Sequence, residues 1–190
     1  MFNKLVFLAA IAFASGLSAC YMMEPVSVAP DTSSPEAAEY RLGPGDQVRI
    51  TVFAKPELSG EFSVDSAGFI AIPLLGPVES GDKTPRALEQ LIAAGLTRGG
   101  YLVDPRVAVQ VTQFRPYYIL GEVGSSGAYP YRPGLTVRNA VAAAGGFTYR
   151  ANTHRVYIQR AGDSYERLYE LKPATAVLPG DTIRIPERFF

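Results

Sequence analysis

A seven-residue motif occurs twice in this chain, with more than a hundred residues between the copies. Both copies read P-G-D-x-[VI]-R-I, and they begin at Pro44, Gly45 and Asp46 and at Pro179, Gly180 and Asp181. Proline presets the first central position of a β-turn, glycine accepts positive φ at the second, and aspartate bonds nearby backbone. The alternating end of the motif then begins a strand. Two copies are too few for a solenoid, so the repeat predicts equivalent turn-to-strand steps in two units.

Alternating apolar residues predict further short strands. The predicted strands lie at residues 48–52, 69–72, 107–111, 117–120, 156–158 and 183–185. Two helices interrupt them. The first begins at the N-cap Thr84, and its apolar face ends before Gly99; the second is capped by Thr136 and ends at Gly145 and Gly146. Each helix has one apolar stripe, so each is expected to cover one face of a small mixed sheet.

The pattern therefore predicts an α+β fold in two units, residues 40–115 and residues 116–190. The boundary is placed at Phe114, Arg115 and Pro116, because the proline breaks the strand ladder there. Units of about 75 residues have marginal cores, so they are expected to gain stability by packing on each other or on other copies.

The N-terminus has the layout of a secretory signal. Lys4 precedes an apolar run at residues 5–14, and small residues precede Cys20, the only cysteine. Residues 17–20 resemble the bacterial lipobox, which predicts a signal peptide at residues 1–19 and lipidation of Cys20. A signal peptide cut without lipidation remains the alternative. Residues 20–39, with three prolines and no periodicity, are expected to form a flexible linker.

Charge and composition exclude several classes of function. The chain has 18 basic and 18 acidic residues, so it lacks the concentrated positive field that nucleic acid requires. One His and one Cys cannot build a zinc site of the usual kind. No metal and no cofactor are predicted.

Three possible reaction centres are set aside. Asp46 and Asp181 could form the carboxylate pair of a glycosidase, but turn capping explains each of them better. His154 has no nucleophile motif near it, which favours a surface loop. The glycine-rich residues 121–127 lack the G-K-[ST] ending of a phosphate loop, which favours a hairpin turn. The chain is not expected to be an enzyme.

Several spaced motifs resemble the polysaccharide export lipoproteins of Gram-negative bacteria. The first unit resembles the export-signature domain of that family, and the second resembles a soluble-ligand-binding β-grasp (SLBB) domain. In the first unit the resemblance is carried by Pro44, Gly45, Asp46, Asp65, Gly68, Asp104 and Pro105. In the second it is carried by Gly121, Glu122, Pro133, Gly134, Gly145 and Gly146.

The resemblance implies export of an exopolysaccharide or capsule without bond chemistry. It implies a homo-oligomeric collar at the outer membrane, facing the periplasm and held there by its lipid, with the polysaccharide as cargo. An inner-membrane polysaccharide co-polymerase is the implied partner beneath it. Larger family members carry a C-terminal transmembrane helix, which is not evident after Ile185, so this chain is expected to be a short form that uses a separate outer-membrane β-barrel.

A monomeric periplasmic lipoprotein that binds a saccharide or another ligand is the alternative function, and no residue is assigned to sugar binding. Phe189 and Phe190 end the chain as two adjacent aromatic residues, which suggests a docking tag.

Overall fold

The computed structural model describes residues 40–188. Cys20, the linker at residues 20–39, Phe189 and Phe190 lie outside these described residues. The described chain forms two modules, each with its own hydrophobic cluster; the N-terminal module has a three-stranded and a two-stranded sheet, and the C-terminal module has one five-stranded sheet. The α+β fold class predicted from the sequence is confirmed.

The N-terminal module contains five strands and one helix. Its elements are β1 (Gln47–Val52), β2 (Gly60–Ser63), β3 (Phe69–Ile72), β4 (Gly76–Glu79), α1 (Pro85–Arg98) and β5 (Val107–Gln113), with a short 3-10 helix at Pro56–Leu58. Strand β1 lies between β2 and β5, while β3 and β4 form a separate hairpin. Leu88, Ile92 and Leu96 of α1 are buried in the core. Glu89 accepts a hydrogen bond from the backbone N–H of Val109 at 2.9 Å, which ties the helix to β5.

The sheets of the N-terminal module are antiparallel, so the mixed sheet expected for this module is wrong in that detail. Strand β1 pairs antiparallel with both β2 and β5, and β3 pairs antiparallel with β4. The reason lies in the connection. The chain leaves the sheet through the β3–β4 hairpin and α1, and it returns on β5 in the direction opposite to β1.

The C-terminal module is a five-stranded mixed sheet with one helix. Its elements are β6 (Tyr117–Gly121), β7 (Gly127–Tyr129), α2 (Val137–Ala143), β8 (Arg155–Gln159), β9 (Arg167–Glu170) and β10 (Thr182–Ile185). The strand order is β7-β6-β10-β8-β9, with β10 parallel to β6 and the other pairs antiparallel. Ile119, Ile158 and Ile183 form the central rows of its core, together with Val137 and Ala140 of α2.

All six strands and both helices that were predicted from the sequence are present, within a few residues of their predicted bounds. Residues 121–127 also form the connection of the β6–β7 hairpin, as predicted. Four strands were missed, β2, β4, β7 and β9, and these are three or four residues long. None of the helices in the part of the chain that the structure describes has the length and apolar character needed to span a bilayer.

Candidate functional site

The two copies of the repeated motif lie at the junction between the modules. Each forms a turn that leads directly into a strand, β1 in the first copy and β10 in the second. Gly45 and Gly180 have φ of 91° and 82°, a region that side chains disfavour. The predicted turn-to-strand step is confirmed in both copies, and the tertiary structure brings the two turns together at one side chain, Arg115.

Arg115 connects the modules through three contacts. Its Nη1 lies 3.2 Å from Oδ2 of Asp46, and its backbone N–H donates to Oδ1 of Asp46 at 2.8 Å. Its Nε donates to the carbonyl of Pro179 in the second copy of the motif at 3.0 Å. One arginine at the module boundary therefore holds both turns together.

Asp46 is fully buried and has partners on both carboxylate oxygens. Besides Arg115, it accepts hydrogen bonds from the hydroxyl of Tyr40 and from the backbone N–H of Gly43 at 2.8 Å. Burial, followed by the hydrogen bond to Asp46, raises the pKa of Tyr40. The tyrosine therefore remains a neutral donor, and the buried charge of Asp46 is balanced locally.

Asp181 is also fully buried, but its two oxygens differ. Oδ2 pairs with Arg160 and accepts from the backbone N–H of Leu178 at 2.7 Å, while Oδ1 has no hydrogen-bond partner among the described residues. Burial raises the pKa of Asp181 to about 6, and the charge of Arg160 opposes that rise. The burial of this carboxyl group therefore raises its pKa by more than the charge and hydrogen bond of Arg160 lower it.

An aromatic chain accompanies the polar contacts across the junction. The rings of Tyr40 and Phe114 meet edge to face at 5.0 Å between centroids, and Phe114 meets Tyr131 at 5.5 Å. Burial, with the charge of Asp181, raises the pKa of Tyr131. The three rings join the start of the N-terminal module to the loop before α2 through the boundary residue Phe114.

The other residues predicted from the family resemblance are spread over both modules. Asp65 accepts from the backbone N–H groups of Ala67 and Phe69, and Gly68 completes this β2–β3 turn. Asp104 and Pro105 lie in the loop before β5, at the far end of β1 from the junction. These residues shape turns and are not brought together in one site.

In the C-terminal module the same residue types also shape turns. Gly121 ends β6 where an added Cβ would clash with the carbonyl oxygen of Ile185. Glu122 accepts a hydrogen bond from the hydroxyl of Thr148. The other four residues that carry the family resemblance in this module flank α2: Pro133 and Gly134 precede it, and Gly145 and Gly146 follow it.

An open groove lies beside Arg115, with a volume of about 540 Å³. Residues of both modules line it, including Asp82 of the N-terminal module and Tyr118 of the C-terminal module. We call it the junction groove. Within residues 40–188, no group of three or more His, Cys, Asp and Glu side chains is arranged to hold a metal ion.

Sequence reasoning missed Arg115 and Arg160 as the partners of the two buried aspartates. The only signal was the position of Arg115 at the module boundary, directly before a proline. His154 lies in an exposed loop, as expected, where its backbone N–H donates to Asn152. Asp46 and Asp181 cap their turns through Gly43 and Leu178, which confirms the predicted turn-capping role.

Comparison with known families follows the same division into two modules. The family described as polysaccharide biosynthesis/export protein matches residues 34–112, and the SLBB domain family matches residues 116–168. Together the two matches cover most of the described chain and meet near Arg115.

Two curated relatives resemble the chain along most of its length. Exopolysaccharide production protein ExoF of Rhizobium meliloti (strain 1021) is 32% identical over 183 residues, which cover 89% of this chain and 40% of the relative. EPS I polysaccharide export outer membrane protein EpsA of Ralstonia nicotianae (strain ATCC BAA-1114 / GMI1000) is 28% identical over 188 residues, which cover 80% of this chain and 49% of the relative. The chain thus spans less than half the length of either relative. It belongs to the polysaccharide biosynthesis/export family, and an SLBB domain follows its export domain.

Proposed function

We propose that this protein is a component of an exopolysaccharide or capsule export machine, in which it forms a periplasmic collar that passes the polymer toward the cell surface. The observation that carries the proposal is the tandem match to an export domain and an SLBB domain over one chain. Both relatives are named for exopolysaccharide production or export, and EpsA is named an outer membrane protein. Polysaccharide is the proposed cargo, with an inner-membrane co-polymerase below the collar and an outer-membrane partner above it.

The proposed role is transport without bond chemistry. The two buried carboxylates considered as an acid and a base are each held by an arginine, Asp46 by Arg115 and Asp181 by Arg160. Each also accepts a backbone N–H bond from its own turn. These contacts support a structural role, because a general acid must be free to reach a substrate atom.

A collar needs a heterologous interface, in which each copy offers two different surfaces. Large apolar side chains are exposed at one end of the N-terminal module, where Phe53 and Val103 are 76% and 96% exposed. Val103 lies in the loop before β5, and Phe53 lies close to this loop, since its N–H donates to the carbonyl of Arg106. Tyr149 and Tyr165 are exposed on the C-terminal module. We propose the Phe53–Val103 end as one of the two contact surfaces.

We also propose that the two domains comprise residues 40–115 and residues 116–190. The family matches, which end at residue 112 and begin at residue 116, support this boundary. A five-stranded sheet with a single helix supports identification of the second domain as a β-grasp.

The proposed location is the periplasmic side of the outer membrane, with a lipid on Cys20 as the anchor. The support comes from the signal-like residues 1–19 and from the single cysteine that follows small residues. More than one acyl chain gives stable anchoring. Mass spectrometry of the mature N-terminus is expected to show an acylated Cys20; an unmodified thiol would contradict the anchor.

Deletion of the gene tests the export function. The expected result is loss of surface polysaccharide with polymer retained in the periplasm, and restoration of surface polysaccharide by the wild-type gene. Fractionation of cells and sugar analysis of each fraction provide the measurement. Normal surface polysaccharide in the deletion strain would overturn the proposal.

A monomeric saccharide-binding lipoprotein is the second candidate, and the junction groove is the observation that favours it. The two candidate functions predict different masses for the particle in solution. Light scattering on the full chain in detergent should give a multiple of the monomer mass for a collar, whereas a monomer with micromolar sugar affinity would favour the second candidate.

A further inference from the structure

The junction groove is lined by three chemically distinct side chains and by several compact residues. The compact residues include Gly45, Pro116, Gly162 and Gly180. Glycine has no side chain and proline only a small ring, so a ligand can approach the backbone closely at these positions. The volume of about 540 Å³ lies within the usual range for ligand sites, roughly 300 to 1,000 Å³.

Tyr118 lines the groove with a ring that is about half exposed. Its neighbours in β6, Tyr117 and Ile119, are buried in the core, so Tyr118 projects from the opposite face of the sheet. The residues paired with it across the sheet are Ala128 and Thr182, which are too small to cover an aromatic ring. The side chain is 47% exposed and makes no hydrogen bond or ring contact among residues 40–188. The flat π face is therefore open to stacking.

Asp82 carries a free carboxylate on a constrained backbone. Its φ is 61°, in the left-handed region that is uncommon for residues other than glycine. Its N–H donates to the carbonyl of Leu42 at 2.8 Å, and its carbonyl accepts from Arg41 at 2.7 Å. No side chain or backbone group of the described residues bonds its carboxylate. Aspartate tolerates this conformation, and the two backbone hydrogen bonds hold the residue in place beside the groove.

Arg115 supplies a fixed donor on the same groove. Its Nη1 and Nε are held by Asp46 and by the carbonyl of Pro179, while Nη2 has no hydrogen-bond partner within residues 40–188. The charge of Arg115 is compensated by Asp46, and Asp82 adds a negative charge, so the groove has no surplus positive charge to attract an anion.

We propose that the junction groove is a saccharide-binding site that takes a neutral segment of the exported polymer. Tyr118 stacks on one face of a sugar ring, the carboxylate of Asp82 accepts hydrogen bonds from sugar hydroxyls, and Nη2 of Arg115 donates to a sugar oxygen. The identity of the ligand rests on the proposed function. Binding at one such site is expected to be weak, because a polymer in transit must also leave it.

Saturation-transfer-difference NMR tests the site, because it detects weak ligands of large assemblies. The full chain in a sugar-free detergent is mixed with cellohexaose or maltohexaose as neutral probes, and with hexagalacturonate as an anionic probe. We expect a transfer signal from at least one neutral hexamer and a weaker one from hexagalacturonate. Tyr118→Ala and Asp82→Gly should each reduce the neutral signal at least fivefold, and Asp82→Gly suits the positive φ of that position.

Two controls separate binding from folding. Tyr118→Phe keeps the ring and should retain the signal, while Tyr149→Ala removes an equally large exposed ring outside the groove and should leave the signal unchanged. Urea unfolding of each variant checks its fold.

Three results would overturn the site: a full signal from Tyr118→Ala, no signal from either neutral hexamer with the wild-type chain, or a stronger signal from the anionic hexamer. The two proposals fail separately. If the groove binds no hexamer but deletion of the gene stalls polymer in the periplasm, only the binding site is refuted. If surface polysaccharide is normal after deletion, the export function is refuted.

Discussion

At the scale of single residues, the two aspartates of the repeat show how one local motif acquires two environments. Both cap their own turn and both are fully buried. Asp46 has partners on both oxygens, whereas Oδ1 of Asp181 has none among the described residues. The turn-capping role could be predicted because it depends on residues three positions away. The arginine partners could not, since Arg115 lies 69 residues from Asp46 and Arg160 lies 21 residues from Asp181.

Replacement of Arg115 by alanine should lower the free energy of unfolding by about 2 to 3 kcal/mol. The substitution removes the cation from a fully buried carboxylate, although Tyr40 and two backbone N–H groups still donate to Asp46. Urea denaturation measures the change. The matched control is Arg49→Ala, whose ion pair with Glu61 is exposed and should be worth less than about 1 kcal/mol. Equal effects of the two substitutions would contradict the role assigned to Arg115.

Asp181 should make the protein less stable as the pH rises from about 4 to about 6. The raised pKa of about 6 means that the folded protein holds a proton on Asp181 where the unfolded chain is already ionised. Unfolding then releases this proton, so its contribution to the unfolding free energy falls with rising pH across that window, by at most about 3 kcal/mol.

The comparison of wild type with Asp181→Asn isolates this contribution. Urea denaturation between pH 4.5 and 7 should show a steeper decline for the wild type, because the amide does not titrate. Identical pH profiles for the two proteins would show that Asp181 does not have the raised pKa.

At the scale of elements, local signals determined where helices begin and end. Thr84 and Thr136 accept hydrogen bonds from the N–H groups of Ala87 and Asn139, as the predicted N-caps should. The missed strands have a common cause. Strands β2, β4, β7 and β9 are short edge or hairpin strands, and three of them carry no buried side chain. Because these strands pair with a neighbouring strand and bury few side chains of their own, their sequences do not need alternating apolar residues.

Removal of the first N-cap should cost about 1 kcal/mol of stability. Thr84→Ala leaves the N–H of Ala87 without its side-chain acceptor at the start of α1, the helix that covers the N-terminal core. Thermal unfolding followed by circular dichroism provides the measurement. Thr97→Ala near the other end of α1 is the control, and its exposed hydroxyl should change stability by less than about 0.5 kcal/mol. A change no larger than that of the control would argue against the cap.

At the scale of the whole molecule, two small modules gain stability from a shared junction. Each module has its own core cluster, and the junction adds Arg115 and the ring chain of Tyr40, Phe114 and Tyr131. These contacts hold one module against the other, which would favour the proposed collar, in which each copy offers two different surfaces. The same junction creates the groove beside Tyr118.

Val103→Asp should weaken assembly if the exposed end of the N-terminal module is a contact surface. A charge at a side chain that is 96% exposed in the single chain would be desolvated in an interface, but it would cost little in the isolated protein. Light scattering of the detergent-solubilised chain should show a smaller average mass for Val103→Asp than for the wild type. Val103→Thr keeps the shape without the charge and should assemble normally. An unchanged mass for Val103→Asp would place the contact elsewhere.

The amino-acid sequence by itself determined the turns, the helix caps and the longer strands. Each of these depends on interactions between residues that are close in the chain, such as Asp46 with Gly43 or Thr84 with Ala87. Only the tertiary structure decided that both copies of the repeated turn meet at Arg115, and that Asp82 and Tyr118 face one groove. These residues belong to different modules, and it is the packing of one module on the other that brings them together.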